Sequence, residues 1–193
     1  MSRIDVVVDL ETLGVGINPV ITQVGMVAFN IDTGKVIARY RNEISITSSL
    51  DHGFVIDADT LRWWMNQDDL LTAKVMNGTK HVDTIVDEIT KWLEAVVVTA
   101  RTTNAGLYFW GNGILADNVW LKSAYKAVGR TYPIKYTNDR DVRTLLELAA
   151  KRIDQPTSAI TNEIDFKGNK HDALDDAMWE AELISKCWNL ISS

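Results

Sequence analysis

The sequence predicts an α/β protein with a mixed sheet, antiparallel where the chain begins, and helices on its faces. Three observations carry that expectation. Residues 4–12 read Ile-Asp-Val-Val-Val-Asp-Leu-Glu-Thr, and three consecutive valines between Ile4 and Leu10 are too β-branched and apolar for an exposed helix. Two more β-rich stretches follow across short turn signals. From Ala58 onward helical periodicity takes over, interrupted by two short strands.

The opening strand reads as buried on both faces. Side chains alternate at period two, so Ile4, Val6, Val8 and Leu10 share one face, and Asp5, Val7, Asp9 and Glu11 the other. After the turn Leu13-Gly14-Val15-Gly16, a second strand spans Pro19 to Asn30, Asp32-Thr33-Gly34 turns the chain, and a third strand spans Lys35 to Ile46. A helix spans Ala58 to Met65 and ends near Gln67, with a shorter one from Asp68 to Met76. Asp83 to Val97 is an amphipathic helix with Ile85, Ile89, Trp92 and Leu93 on one side. Leu107-Tyr108-Phe109-Trp110 is a short aromatic strand ended by Gly111-Asn112-Gly113, and Ala116 to Val128 is a helix closed by Gly129. Ile134 to Tyr136 is a weak strand, Asp141 to Ile153 a helix, and Gln155 to Lys170 a mobile loop. His171 opens the last helix, which runs to about Leu190. A chain of 193 residues without repeats or a composition break reads as one domain.

Composition narrows the class. Apolar residues at 46% and charged residues at 24% are globular values, and no stretch approaches a membrane span, so a soluble protein is expected. The start Met-Ser-Arg runs straight into the first strand without a signal-peptide pattern, and the single Cys187 cannot form an internal disulfide. Both point to the cytoplasm. A net charge of −6 argues against strong non-specific nucleic-acid binding, although two bound divalent cations would cancel four of those charges. Seven tryptophans leave room for an exposed aromatic patch that a homodimer would cover.

Four acids stand where burial is expected. With about 3.3 Å rise per residue, Asp9 and Glu11 project the same way from points roughly 6 to 7 Å apart, and two carboxylates at that spacing can reach one cation. A strand that ends in polar residues as it enters a turn explains the pair equally well. Asp117 falls within the apolar stripe of Ile114, Leu121, Ala124, Tyr125 and Val128, where a carboxylate needs a partner. An N-cap role is the competing explanation. On the last helix the stripe is Ala173, Ala177, Ala181, Ile184, Trp188 and Ile191. Asp172 is the natural N-cap, Asp175 points to solvent, and Asp176 lies at the stripe's edge, but Glu180 lies even nearer to it. His52 and His81 read as structural, whereas His171 precedes this acid-bearing helix and follows the loop.

Asp9-Leu10-Glu11-Thr12, Asp117-Asn118 after Trp110-Gly111-Asn112-Gly113, and His171-Asp172-Ala173-Leu174-Asp175-Asp176 together resemble the three motifs of the DEDDh 3′-to-5′ exonuclease family. Their order and spacing agree along the whole chain. Leu61-Arg62-Trp63-Trp64-Met65-Asn66-Gln67 and Asp141-Val142-Arg143-Thr144-Leu145 are similar to segments of the small single-domain bacterial and bacteriophage members. The resemblance implies a ribonuclease-H-like fold with a five-stranded mixed sheet, and a single exonuclease domain over residues 1–193. It implies ligand roles for Asp9, Glu11, Asp117 and Asp176 and a general-base role for His171.

The chemistry agrees with that resemblance. Hydrolysing a phosphodiester requires stabilising a charged pentacovalent arrangement and generating hydroxide near neutral pH, and two divalent cations do both. Four carboxylates are enough to hold them, and an all-oxygen set selects Mg²⁺ or Mn²⁺. The expected activity is removal of nucleoside 5′-monophosphates from the 3′ end of single-stranded DNA or RNA, and the alternative is a silent nuclease-fold module that binds nucleic acid or protein. Thr12 and Leu13 follow the acids and could meet the terminal nucleotide, Leu13 as an apolar wedge, or simply pack at the strand's end. Trp63 and Trp64 point about 100° apart on a helix. Trp64 with Leu61 is therefore expected in the core, and Trp63 with Gln67 nearer the substrate. Asn112 is a candidate for the terminal sugar and Arg143 for a phosphate.

Overall fold

The computed structural model describes residues 3–103 and 105–192. Its centre is a 5-stranded mixed sheet in the order β3-β2-β1-β4-β5, made of β1 (Arg3–Thr12), β2 (Ile21–Phe29), β3 (Val36–Glu43), β4 (Gly106–Gly111) and β5 (Asp139–Asp141). β1, β2 and β3 run antiparallel as a meander, and β4 and β5 add parallel strands on the other side of β1. The central position of β1 explains its valines, because a strand with neighbours on both edges and helices on both faces has no wet side.

The alternation read from the sequence divides the core. Ile4, Val6, Val8 and Leu10 join one cluster with Val24, Met26 and the apolar stripe of α4 (Val82–Thr102) and α5 (Asp117–Ala127). Val7 joins a second cluster with Trp110, α6 (Val142–Arg152) and α8 (Ala173–Ser192). Small residues on the second face, Ala149, Ala177 and Ala181, let these two helices approach the sheet closely. The remaining helices are short: α1 (Ile46–Asp51), α2 (Ala58–Trp64), α3 (Asp69–Met76) and α7 (Thr157–Thr161).

Where the structure departs from the sequence reading, local side chains explain it. The third strand stops at Glu43 rather than Ile46 because Ser45 caps α1, its Oγ accepting the Ser48 N–H at 3.2 Å. The fifth strand lies at Asp139–Asp141 rather than 134–136. Ile134 is instead a buried anchor of the connection, and the strand is hidden from the sequence because its residues are charged. Asp139 pairs with Lys122 and Asn118, and Asp141 caps α6 by accepting the Thr144 N–H at 2.8 Å. The segment 155–170 is not all loop, since Pro156 leads into α7, which buries Ile160. The last helix starts at Ala173 rather than His171, because His171 has φ 65° and cannot belong to a right-handed helix. The helix expected over Asp83 to Val97 extends to Thr102.

Candidate active site

β1 outruns its parallel neighbour. Pairing with β4 ends at Val7 and Trp110, so residues 9–12 of β1 border a crevice on that side, at the carboxyl ends of the two parallel strands. α5 fills part of it. The N–H of Leu10, beyond the ladder, donates to Asp117 Oδ1 at 3.1 Å. Asp117 is therefore a bridge to the central strand, not a helix cap; Ala116 occupies the cap position without a side-chain bond. Gly111 makes this approach possible, because a Cβ there would stand 2.3 Å from Asn118 Oδ1.

α8 closes over the opposite side of the same strand end. Gly25 pairs with Asp9 in the β1–β2 register, and a Cβ at Gly25 would lie 2.1 Å from the carbonyl oxygen of Ala173. Only glycine lets the helix start touch the sheet there. Gln23, opposite Glu11, accepts the Ala173 N–H at 2.6 Å and ties down the first turn. Asp172 holds the expected cap position, its carbonyl accepting the Asp176 N–H at 2.9 Å, but its buried carboxylate pairs with Arg41 at 3.1 Å and Lys74 at 3.5 Å instead of capping. His171 donates its backbone N–H to Asp176 Oδ2 at 2.7 Å. Its ring stands edge-on to Trp63 and Trp64, with centroids 5.0 and 6.2 Å away. One ligand atom each from Glu11, His171 and Asp176 lies within 4.8 Å of the others.

The electrostatics of this cluster differ from those of the other buried acid on the strand. Burial raises the Asp5 carboxyl, but Arg3 donates to it at 2.8 Å and Trp110 Nε1 at 2.6 Å, both opposing the rise. Asp9 and Glu11 have no such relief. Burial comes first for both, and the next influences are all acids: Glu180, Asp117, Glu11 and Asp176 on Asp9, and Asp176, Asp117 and Asp172 on Glu11. Asp9 is held well above the usual carboxylate range, and Glu11 is pushed up to about 8. Burial also takes Asp117 to about 7 against backbone hydrogen bonds that favour its charge, and it raises Asp176 and Glu180. Carboxylates that raise one another in a dry pocket form a site in deficit of positive charge. An all-oxygen donor set with a histidine beside it suits a hard divalent cation.

The chain also has a match among known families. Residues 4–188 match the model of the Rv2179c-like 3′-5′ exoribonuclease domain. The chain belongs to that family. Its fold is the ribonuclease-H-like fold of DEDDh exonucleases. Over 95% of this chain and 90% of the other, it superposes with TM-score 0.58 and 12% identity on the nuclease domain of 3′hExo, a DEDDh family member, bound to rAMP. A 3′-exonuclease described in 3′-end-specific recognition of a histone mRNA stem-loop matches with TM-score 0.55 and 11% identity, covering 95% and 80%. E. coli exonuclease I in complex with a dT13 oligonucleotide matches with TM-score 0.60 and 11% identity, and this chain spans 95% of itself but only 40% of that protein. At such identities these likenesses speak to fold alone. No curated protein sequence matches.

In this exoribonuclease-like domain the expected site residues divide. Asp9, Glu11, Asp117, Asp176 and His171 converge, although they come from β1, α5, α8 and the turn before α8. Trp64 is buried and donates from Nε1 to the Thr12 carbonyl at 2.9 Å, whereas Trp63 is 43% exposed beside His171. Gln67 Nε2 donates to the Trp63 carbonyl at 3.0 Å. Leu13 is fully enclosed in the main core, which is packing at the strand's end, and the Thr12 hydroxyl donates to the Gly14 carbonyl at 2.7 Å. Arg143 Nε donates to Asn112 Oδ1 at 3.2 Å. A cavity of about 590 Å³ beside His171 and Asp176 is lined by Phe166, Lys170 and Trp179 among others. Sequence reasoning missed Gly25 and Gln23. A glycine inside a strand is the signal that could have found the first, since it marks close approach of another backbone.

Proposed function

We propose that this chain is a single-domain, metal-dependent 3′-to-5′ exonuclease acting on single-stranded ends, and that RNA is its substrate class. The observation that carries this reading is the convergence of Asp9, Glu11, Asp117 and Asp176 on one pocket where the strongest influences on Asp9 and Glu11 all oppose ionisation, with His171 at its mouth. The family's description supports RNA. In this reading the four acids hold two divalent cations, Mg²⁺ or Mn²⁺. When bound, these supply neutralisation of the charge that develops on phosphate and leaving group, and they ease ionisation of water.

The chain's own residues do the rest. A ring nitrogen of His171 accepts a proton of the attacking water as its oxygen bonds to phosphorus, the bond from phosphorus to the 3′ oxygen of the preceding nucleotide breaks, and that oxygen takes up a proton to become a 3′-hydroxyl, releasing a nucleoside 5′-monophosphate. Trp63 and Trp64 hold the imidazole edge-on, so the ring has a defined direction. Leu10 holds Asp117 through its backbone, which keeps one ligand fixed however the loops move. Trp63 offers an exposed aromatic face to a terminal base, with Gln67 behind it, and Asn112, Arg143 and the Thr12 end of β1 border the sugar and phosphate. The buried, lone Cys187 fits a reducing compartment, and we place the enzyme in the cytoplasm. Among the described residues no helix is long and apolar enough to cross a membrane.

The test of substrate class is a matched pair of single-stranded oligonucleotides, one RNA and one DNA of the same base sequence, digested in Mn²⁺. Faster shortening of RNA is expected. Preference for DNA overturns that part of the reading and leaves the exonuclease itself standing.

A further inference from the structure

We propose that Glu180 is a fifth carboxylate of the cation site, held in place by Asn112 and, through Asn112, by Arg143. The inference rests on the proposed cation site and extends it to a residue outside the four acids of the family's motifs. Glu180 follows Asp176 by one turn of α8, on the buried side of the helix, and is 3% exposed. Its Oε2 is buried with no hydrogen-bond partner among the described residues. A lone buried carboxylate oxygen is costly.

Its surroundings say where it points. Of the neighbouring acids, Glu180 acts most strongly on Asp9, and Asp117 acts most strongly on Glu180, so it sits between the strand-borne and helix-borne members of the cluster. Asn112 stands beside Glu180 and favours its charged form, and the oxygen of that amide accepts from Arg143 Nε at 3.2 Å. A guanidinium at the surface thus fixes an amide that stands against a buried carboxylate. Structural packing alone does not require this chain of polar groups, since an alanine or leucine at position 180 would continue the apolar face of α8. A cation between the acids supplies what the free oxygen lacks.

The experiment is calorimetric titration of Mn²⁺ into the metal-free full chain, comparing wild type, Glu180→Gln, Arg143→Gln and the double variant, with circular dichroism to confirm folding. Glutamine keeps the volume but has a weaker, neutral oxygen. Glu180→Gln is expected to weaken Mn²⁺ binding at least as much as loss of a group behind a ligand does, about 10- to 100-fold, or to remove one equivalent. Arg143 is exposed, so Arg143→Gln folds; it is expected to weaken binding by a smaller factor than Glu180→Gln, and the double variant to be no weaker than Glu180→Gln. Wild-type affinity in both single variants overturns the inference, as does an additive double variant. Absence of Mn²⁺ binding by the wild type instead overturns the cation site on which it rests.

Discussion

The backbone N–H of His171 donates to Asp176 Oδ2 at 2.7 Å, so the proposed base and a proposed ligand are joined through main chain rather than through the imidazole. The ring is left free for chemistry, and the bond survives substitution of the side chain. The left-handed backbone at His171, φ 65°, makes asparagine the cleaner replacement, because it tolerates this region better than alanine. His171→Asn is expected to lower kcat by about 10²- to 10⁴-fold while Mn²⁺ binding, measured by calorimetry, stays within about 3-fold of wild type. Near-normal kcat contradicts the base assignment.

Asp117 is expected to separate metal binding from folding. Asp117→Asn retains an oxygen for the Leu10 N–H but removes a charge that burial disfavours. The metal-free variant should therefore melt at or above the wild-type temperature, while the rise in Tm on adding Mn²⁺ is largely lost. Asp117→Ala also strands the Leu10 donor, which costs about 1 to 3 kcal/mol, and should melt lower. A thermal scan of both variants with and without Mn²⁺ checks the contrast. A full Mn²⁺ increment in Asp117→Asn contradicts the ligand role.

The pH dependence follows from the direction of the shifts. Glu11 and Asp117 have folded values near 8 and 7, above their ordinary values of 4.5 and 3.8. A raised acid contributes its stability fully at pH below the ordinary value and loses it as pH rises through the folded value. Metal-free protein should thus lose Tm between about pH 4 and pH 8, by on the order of 5 °C or more. Saturating Mn²⁺ should flatten the curve, and the metal-induced increment should grow across that window. Differential scanning calorimetry at stepped pH checks this. A metal-free Tm that rises steadily to pH 8 contradicts it.

The adjacent tryptophans should part by kind of defect. Trp63 is exposed beside His171, so Trp63→Ala is expected to raise KM for a single-stranded oligonucleotide roughly 5- to 150-fold, equivalent to about 1 to 3 kcal/mol of stacking, with little change in Tm. Trp64 is buried and its Nε1 holds the Thr12 carbonyl, so Trp64→Phe is expected to lose about 1 to 3 kcal/mol of stability. Steady-state kinetics and melting curves on both variants check the division, and equal Tm losses contradict it.

Much of this was legible in the residues alone, for a physical reason. Two-sided burial of β1 imposes a valine run that no exposed element would carry, and helical spacing placed Asp117 inside an apolar stripe where the structure finds it. What periodicity could not show was contact between distant segments. Gly25 and Ala173 are far apart in the chain, and the closeness of their backbones is a property of the folded sheet. β5 escaped because its residues are charged and serve pairing and capping rather than a hydrophobic face. Asp172 takes the cap position that local rules assign it, but Arg41 and Lys74, from β3 and α3, draw its carboxylate away from the helix end. On the helix wheel, angle alone does not separate Glu180 from Asp176. Both turn out to lie among the acids.

The most direct measurement of the central claim is digestion of one single-stranded oligonucleotide prepared with a 5′ label and, separately, with a 3′ label, in Mg²⁺ or Mn²⁺ and again with excess chelator. The expected result is a ladder of shortening 5′-labelled products, immediate release of the 3′ label as a mononucleotide, and no digestion with chelator. Intact oligonucleotide in the presence of metal, or digestion that survives chelation, contradicts the account.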